Sequence, residues 1–143
     1  MSDLPVVRLC DIRETALDVQ EVVAALADDA SGGVTLFVGA VRDHDGGKDV
    51  TGLEYSAHPT ALQRLRDVCD EVAEEYGVRA LAAVHRTGTL AIGDAAVIVA
   101  TATAHRGDAF EASRALIDRL KQTVPIWKHQ VFADGSDEWV GTP

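Results

Sequence analysis

The cations that could do chemistry in this sequence fall together. Of its three lysines, Lys121 and Lys128 flank the apolar run Val124-Pro125-Ile126-Trp127. Between residues 104 and 132, five Lys and Arg residues (Arg106, Arg114, Arg119, Lys121, Lys128) face three acids (Asp108, Glu111, Asp118), a local balance of +2 in a chain of net charge −10. Such a reversal of sign suits a small anion. His105-Arg106 follows an apolar β-type run and precedes a helical pattern, where free helical N–H groups also point outward and favour negative charge. Two readings stay open for this pair: an anion site, or a strand-ending His beside a solvated Arg. Arg42, at the end of an apolar strand beside a glycine loop, is equally ambiguous taken singly.

Other constellations carry less. The five histidines (His44, His58, His85, His105, His129) include no H-x-H, no H-E-x-x-H and no i,i+4 pair, so no metal site is expected. Gly32-Gly33 and Gly46-Gly47 are turn signals, unlike G-x-G-x-x-G or a P-loop. No G-x-S-x-G occurs and neither cysteine has an electropositive neighbourhood, which leaves Ser or Cys nucleophilic catalysis without support. Asp43 with Asp45 and Glu74 with Glu75 read as solvated acids. Trp127 and Trp139 read as anchors of the last segments in the core.

The elements that must position these residues follow from periodicity. After an extended run from Val6 to Cys10, Asp18 and Glu21 have capping-box spacing before a helix over 18–29, which Ser31-Gly32-Gly33 ends. The run from Val34 to Val41 is apolar on both alternating faces and predicts a central, doubly covered strand that delivers Arg42. A polar loop, Asp43 to Asp49, leads to a second extended run, Val50 to Ala57. Apolar residues from Leu62 to Ala73 recur at helical spacing behind Pro59, predicting the longest helix over 60–76 with Gly77 as its stop. Strands are expected over 78–85 and 95–103. Asp108 and Glu111 predict the cap of a third helix reaching about Gln122, which Pro125 breaks before a last strand over 126–132. These elements compose one α+β domain over residues 1–143, with three helices and about seven mostly antiparallel strands.

At 143 residues and 47% hydrophobic content, the chain is long enough for a real core without disulfides or metals. Its acidity argues against nucleic-acid binding, which relies on clustered Lys and Arg. Cys10 and Cys69 are 59 positions apart with no C-x-x-C, which fits a reducing cytoplasm. Neither an export signal nor an 18-residue apolar span is present in the sequence, so no membrane partner is expected.

Several separate motifs then occur in a distinctive order: Phe37-Val38-Gly39-Ala40-Val41-Arg42, His85-Arg86-Thr87-Gly88, Ala104-His105-Arg106, Ala109-Phe110, Leu120-Lys121 and Pro125-Ile126-Trp127-Lys128. From about Val34 to Val140 the sequence resembles the large, catalytic subunits of molybdopterin synthase. The resemblance implies an α/β-hammerhead fold and a sulfurtransferase of molybdenum cofactor biosynthesis. It further implies a homodimer at the centre of a heterotetramer, with a small ubiquitin-like sulfur-carrier subunit docked on each copy. The carrier's C-terminal glycine thiocarboxylate would enter a pocket and pass two sulfurs in succession to cyclic pyranopterin monophosphate, forming the molybdopterin dithiolene without a metal or other cofactor.

Carried over residue by residue, the resemblance makes Lys121 and Lys128 the catalytic pair lining the pocket where tail and pterin meet. Arg42, His105 and Arg106 would bind substrate phosphate, and Ala40, Val41, His129 and Gln130 would be pocket neighbours. Crowding of cations would lower the pKa of Lys121 or Lys128 and suit it to acid–base work. The sequence departs from the family pattern at Tyr55-Ser56-Ala57-His58-Pro59, where a Glu, an aromatic and a Met are common, and it stops at Pro143, where many relatives carry a further tail. Two other readings use the same residues: a regulatory module binding a small anionic metabolite, which needs no lysine pair, and a docking domain for an acidic protein.

Overall fold

The computed structural model describes residues 4–141, and its first sheet collects the most apolar segments of the chain. Strand β1 (Val7–Arg13) pairs in parallel with β5 (Ala80–Arg86), β5 pairs antiparallel with β7 (Ala95–Thr103), and β7 antiparallel with β2 (Gly33–Ala40), in the order β1-β5-β7-β2. Successive strand residues point to opposite faces, and each face of this sheet has its own helical cover. Helices α2 (Ala61–Glu75) and α3 (Arg106–Thr123) bury Leu81, Ala83, Val97 and Val99. Helix α1 (Val19–Ala25) buries Ala80, Ala82, Val84, Ile98 and Ala100 on the other side. The second sheet runs β3 (His44–Asp45), β4 (Lys48–Ala57), β8 (Ile126–Phe132), β9 (Asp137–Val140), with β6 (Gly88–Leu90) also paired to β4. The architecture is α+β with three helices, as expected. Among the described residues there are nine strands, the short β3, β6 and β9 adding to the runs expected as strands.

Five expectations are corrected. The strand expected at the centre of the sheet, β2, is an edge strand, and β7 takes the central place. The Thr35 face of β2 lies under α3, where its hydroxyl donates to the Ala109 carbonyl at 3.0 Å. On its other face Val34, Leu36 and Val38 remain exposed, Val34 by 55%. Apolarity on both faces reports a strand that tolerates cover on both sides and does not say whether its own chain provides it.

Helix α1 ends at Ala25 rather than near residue 29. The Arg8 guanidinium takes the carbonyls of Ala25 and Ala27 at 3.3 and 3.1 Å, and Asp28 turns away to meet Arg79 at 2.6 Å. Asp18 caps as expected, its carboxylate accepting from the Gln20 N–H at 2.9 Å, but Glu21 reaches across to Arg13 instead of back to the cap. Helix α3 starts earlier than the Asp108 spacing implied: His105 is the N-cap in extended conformation, and Asp108 lies in the first turn, where its charge complements the helix dipole. Trp139 is 60% exposed and stacks on His129, with centroids 4.3 Å apart, instead of anchoring in the core.

Candidate active site

Helix α3 places Lys121 in its last turn. Val124, buried and in extended conformation, ends the helix, and Pro125 turns the chain directly into β8. Seven positions therefore carry the chain from a helix end to Lys128 on a strand of the second sheet. Lys121 and Lys128 both line a cavity of about 150 Å³ between the two sheets, walled by Leu120, Val124 and Ile126 and floored by Tyr55 and His85. The expected lysine pair is thus brought together.

A second, smaller pocket of about 60 Å³ adjoins it, lined by Ala40, Val41, Arg42, Asp45, Lys128 and Gln130 among others. Tyr55 and Lys128 line both. They face each other across the β4–β8 ladder, as do Leu53 and Gln130, so these side chains share one face of the second sheet. Arg42 is held only loosely, 3.7 Å from Asp45 with 68% of its side chain exposed, a weak surface pair that leaves its guanidinium open to a ligand. Its backbone is better fixed, since the Val41 N–H donates to the Asp94 carbonyl and the Val41 carbonyl accepts from Gly93. Gln130 is buried and donates to Asp45 at 2.7 Å and Glu138 at 3.3 Å. That bond, with the charges of Lys128 and Arg42, holds the Asp45 carboxyl below the usual carboxylate range.

The lysine cavity is electrostatically uneven. Lys121 is accessible as a whole residue, yet desolvation where it lines the cavity, and secondarily the charge of Lys128, lowers its pKa from the ordinary lysine value. His85, only 2% exposed, is pushed down to about 4 by burial, with Lys121 acting in the same direction against its backbone hydrogen bond. It is neutral near pH 7. Its ring meets the Tyr55 ring edge-on at 5.0 Å, and burial raises the Tyr55 phenol pKa.

The remaining expected residues lie elsewhere. His105 and Arg106 cap and open α3, and fifteen residues of helix at about 1.5 Å each set Arg106 roughly 22 Å from Lys121. The β2 strand separates the pair from Arg42 by a similar length: Gly33 abuts Arg106 at one end, and seven strand steps of about 3.3 Å lead to Ala40, two residues before Arg42, at the other. Arg42 and the His105-Arg106 pair are therefore not neighbours within one chain. Gly33 permits the close approach, since a Cβ there would lie 2.8 Å from the Arg106 Cα. Gly32-Gly33 thus has a packing role beyond the turn read from sequence. His129 points to the face of β8 opposite Lys128 and Gln130, bonded to Asp137 at 2.8 Å and stacked on Trp139. His58 stands outside the pockets, its Nδ1 accepting from the Thr60 N–H ahead of α2.

Sequence reasoning missed Tyr55 and His85 as pocket residues. His85 stood in a quoted motif, but a buried strand residue gives no sign of which cavity it faces. Among the described residues no group of three or more His, Cys, Asp or Glu side chains is placed to hold a metal ion.

The chain matches the family model described as MoaE protein over residues 12–123. It is 46% identical to "Molybdopterin synthase catalytic subunit 1" of Mycobacterium tuberculosis, over 92% of this chain and 90% of that one. The chain belongs to the MoaE family. A Bacillus subtilis molybdopterin synthase catalytic subunit is 37% identical over 92% of this chain and 83% of its own length. The molybdopterin synthase crystal structure from Staphylococcus aureus superimposes with a TM-score of 0.85 at 33% identity, over 92% of this chain and 96% of that one. The MoaE model spans Arg42, His85, the His105-Arg106 pair and Lys121, and the longer matches reach most of the chain. Among the described residues no helix is long and apolar enough to cross a membrane.

Proposed function

We infer that this chain is the catalytic subunit of a molybdopterin synthase, a sulfurtransferase that converts cyclic pyranopterin monophosphate to the molybdopterin dithiolene with sulfur from a small carrier subunit's C-terminal thiocarboxylate. Membership of the MoaE family supports the reaction. The observation that carries its location is the pair of adjoining pockets that share Lys128 and Tyr55. The cavity, lined by Leu120, Val124 and Ile126 together with Lys121 and Lys128, suits an extended tail ending in an anion. The Arg42 pocket suits the substrate phosphate, because a guanidinium binds phosphate oxygens in bidentate fashion. Lys128, lying between, is the point at which thiocarboxylate sulfur and pterin carbon meet. Lys121, with its lowered pKa, is the group from which a proton passes most readily as the cyclic phosphate opens.

The phosphate site is completed by a second copy of the chain. Strand β2 offers an open edge and an uncovered apolar face, Val34, Leu36 and Val38. Two such edges pairing antiparallel about a two-fold axis would set the Gly33 end of one against the Ala40 end of the other. That would bring His105 and Arg106 beside Arg42 of the partner subunit, joining the pair to a guanidinium that one chain keeps about 22 Å away by the length of β2. The assembly is then a central homodimer with one carrier at each lysine cavity, a heterotetramer working in the cytoplasm, with no cofactor beyond its substrates.

The test is reconstitution from purified chain, thiocarboxylated carrier and cyclic pyranopterin monophosphate, with molybdopterin read as its oxidised fluorescent derivative. Product requiring all three components, and lost in Lys121→Ala while the fold survives, is the expected result. Wild-type turnover by Lys121→Ala would remove the lysine from the mechanism, and carrier binding without product would return weight to an anion-binding module.

A further inference from the structure

His85 is a polar residue the mechanism above does not use. Its Nδ1 lies 2.8 Å from the Arg86 carbonyl oxygen, which can only accept, so Nδ1 carries the ring proton. The ring is neutral, and Nε2 is then an acceptor. No donor among the described residues reaches Nε2, and it is not among the buried side-chain atoms that lack a partner. With the residue 2% exposed and in the floor of the lysine cavity, Nε2 opens on that cavity. A donor on the ligand is what this atom lacks.

The neighbouring groups say which donor fits. Lys121 and Lys128 supply N–H donors for an anionic group at the cavity's polar end, and Nε2, holding a lone pair, repels that anion and selects an N–H. Leu120, Val124 and Ile126 line the cavity beside the lysines, and about 150 Å³ has room for the last residues of an extended chain. A C-terminal glycine carries both features within three bonds: a terminal carboxylate or thiocarboxylate, and its own amide N–H one Cα away. We propose that His85 Nε2 accepts a hydrogen bond from the amide N–H of the carrier's terminal glycine, fixing the tail's depth and rotation while Lys121 and Lys128 hold its anionic end. This assignment rests on the reading of the cavity as the carrier-tail site.

The test compares two semisynthetic carriers, one ending in glycine and one in glycolate, where an ester oxygen replaces the amide N–H without added bulk. Wild-type chain is expected to bind the glycolate carrier roughly 3- to 10-fold more weakly, the worth of one neutral hydrogen bond. His85→Leu should bind both carriers equally. Equal binding of both by wild type, with binding still weakened by Lys121→Ala, would overturn the role of His85 and leave the cavity reading standing. Carrier binding indifferent to Lys121→Ala and to the ester would sink the cavity reading itself. If His85→Leu binds more weakly yet keeps the full glycine–glycolate difference, the residue only shapes the cavity and the proposal fails. Should that variant not fold, the 15N resonance of His85 Nε2 decides: it should move on adding the glycine carrier and not the glycolate one.

Discussion

Mixing two inactive variants offers the sharpest check on where the phosphate site lies. Arg42→Ala removes the guanidinium at the Ala40 end of β2, and Arg106→Ala removes the one at the Gly33 end. Within a chain these positions are roughly 22 Å apart by the length of β2, whose Gly33 abuts Arg106 and whose Ala40 end leads to Arg42, too far for one phosphate to touch both. If the pocket is shared across a two-fold axis, every pocket in either pure variant carries one defect, and both proteins should be nearly inactive. Subunit exchange in an equal mixture makes about half the dimers mixed, and each mixed dimer has one pocket with both arginines and one with neither. Activity should therefore recover to about one quarter of wild type. The assay is molybdopterin formation before and after exchange under mild denaturant, with wild type treated identically. Zero recovery despite demonstrated exchange, measured by mass spectrometry of differently tagged chains, would refute the shared pocket. Recovery without exchange would refute the geometry.

Three further outcomes follow from particular contacts. Leu36→Lys places a charge in the exposed apolar face of β2 and should convert the proposed dimer to monomer in sedimentation velocity without lowering Tm by more than a few degrees, because Leu36 is already 39% exposed within its own chain; an unchanged dimer would place the interface elsewhere. Gly33→Ala sets a Cβ against backbone atoms of Arg106 at 2.8 and 2.9 Å, which cannot yield as a flexible side chain does, and should cost about 1–3 kcal/mol in denaturant unfolding; no loss would mean that the α3 N-terminus moves freely. His85 has a folded pKa of about 4 against an unfolded value near 6.5. The unfolded chain therefore takes up a proton that the folded chain refuses as pH falls through that window, and stability drops there by up to about 3 kcal/mol. His85→Gln should remove this part of the acid sensitivity, seen as a smaller difference in unfolding free energy between pH 7 and pH 4.5, and an unchanged difference would mean that His85 ionises freely in the folded state.

Much of this molecule was legible before any coordinates. Helix α2 stands within a residue of its expected limits, because Leu65, Val68, Cys69 and Val72 repeat at helical spacing and Pro59 and Gly77 bracket them. The cationic cluster that holds Lys121 and Lys128 was legible from charge alone, while their meeting in one pocket came from the family resemblance. Motif order carried the family. The limits of α1 were not legible, because its last carbonyls are taken by Arg8 from a neighbouring strand, and no local pattern contains that competitor. The start of α3 was misplaced because Asp108 and Glu111 match a cap that the chain does not use. At the actual start of α3, Gly33 packs against the Arg106 backbone, a contact between residues 73 positions apart.

Local spacing thus specifies which segments become helices and strands and which charges they carry, because those properties depend on neighbours within a few residues. Neighbourhood across the sheets is a different matter. That Tyr55 and His85 floor the lysine cavity, that His129 turns its back on Lys128, and that Arg42 and Arg106 stand at opposite ends of β2 all depend on strand order and register. Those are set by which apolar faces find each other in three dimensions, through contacts whose sequence separation no local periodicity encodes.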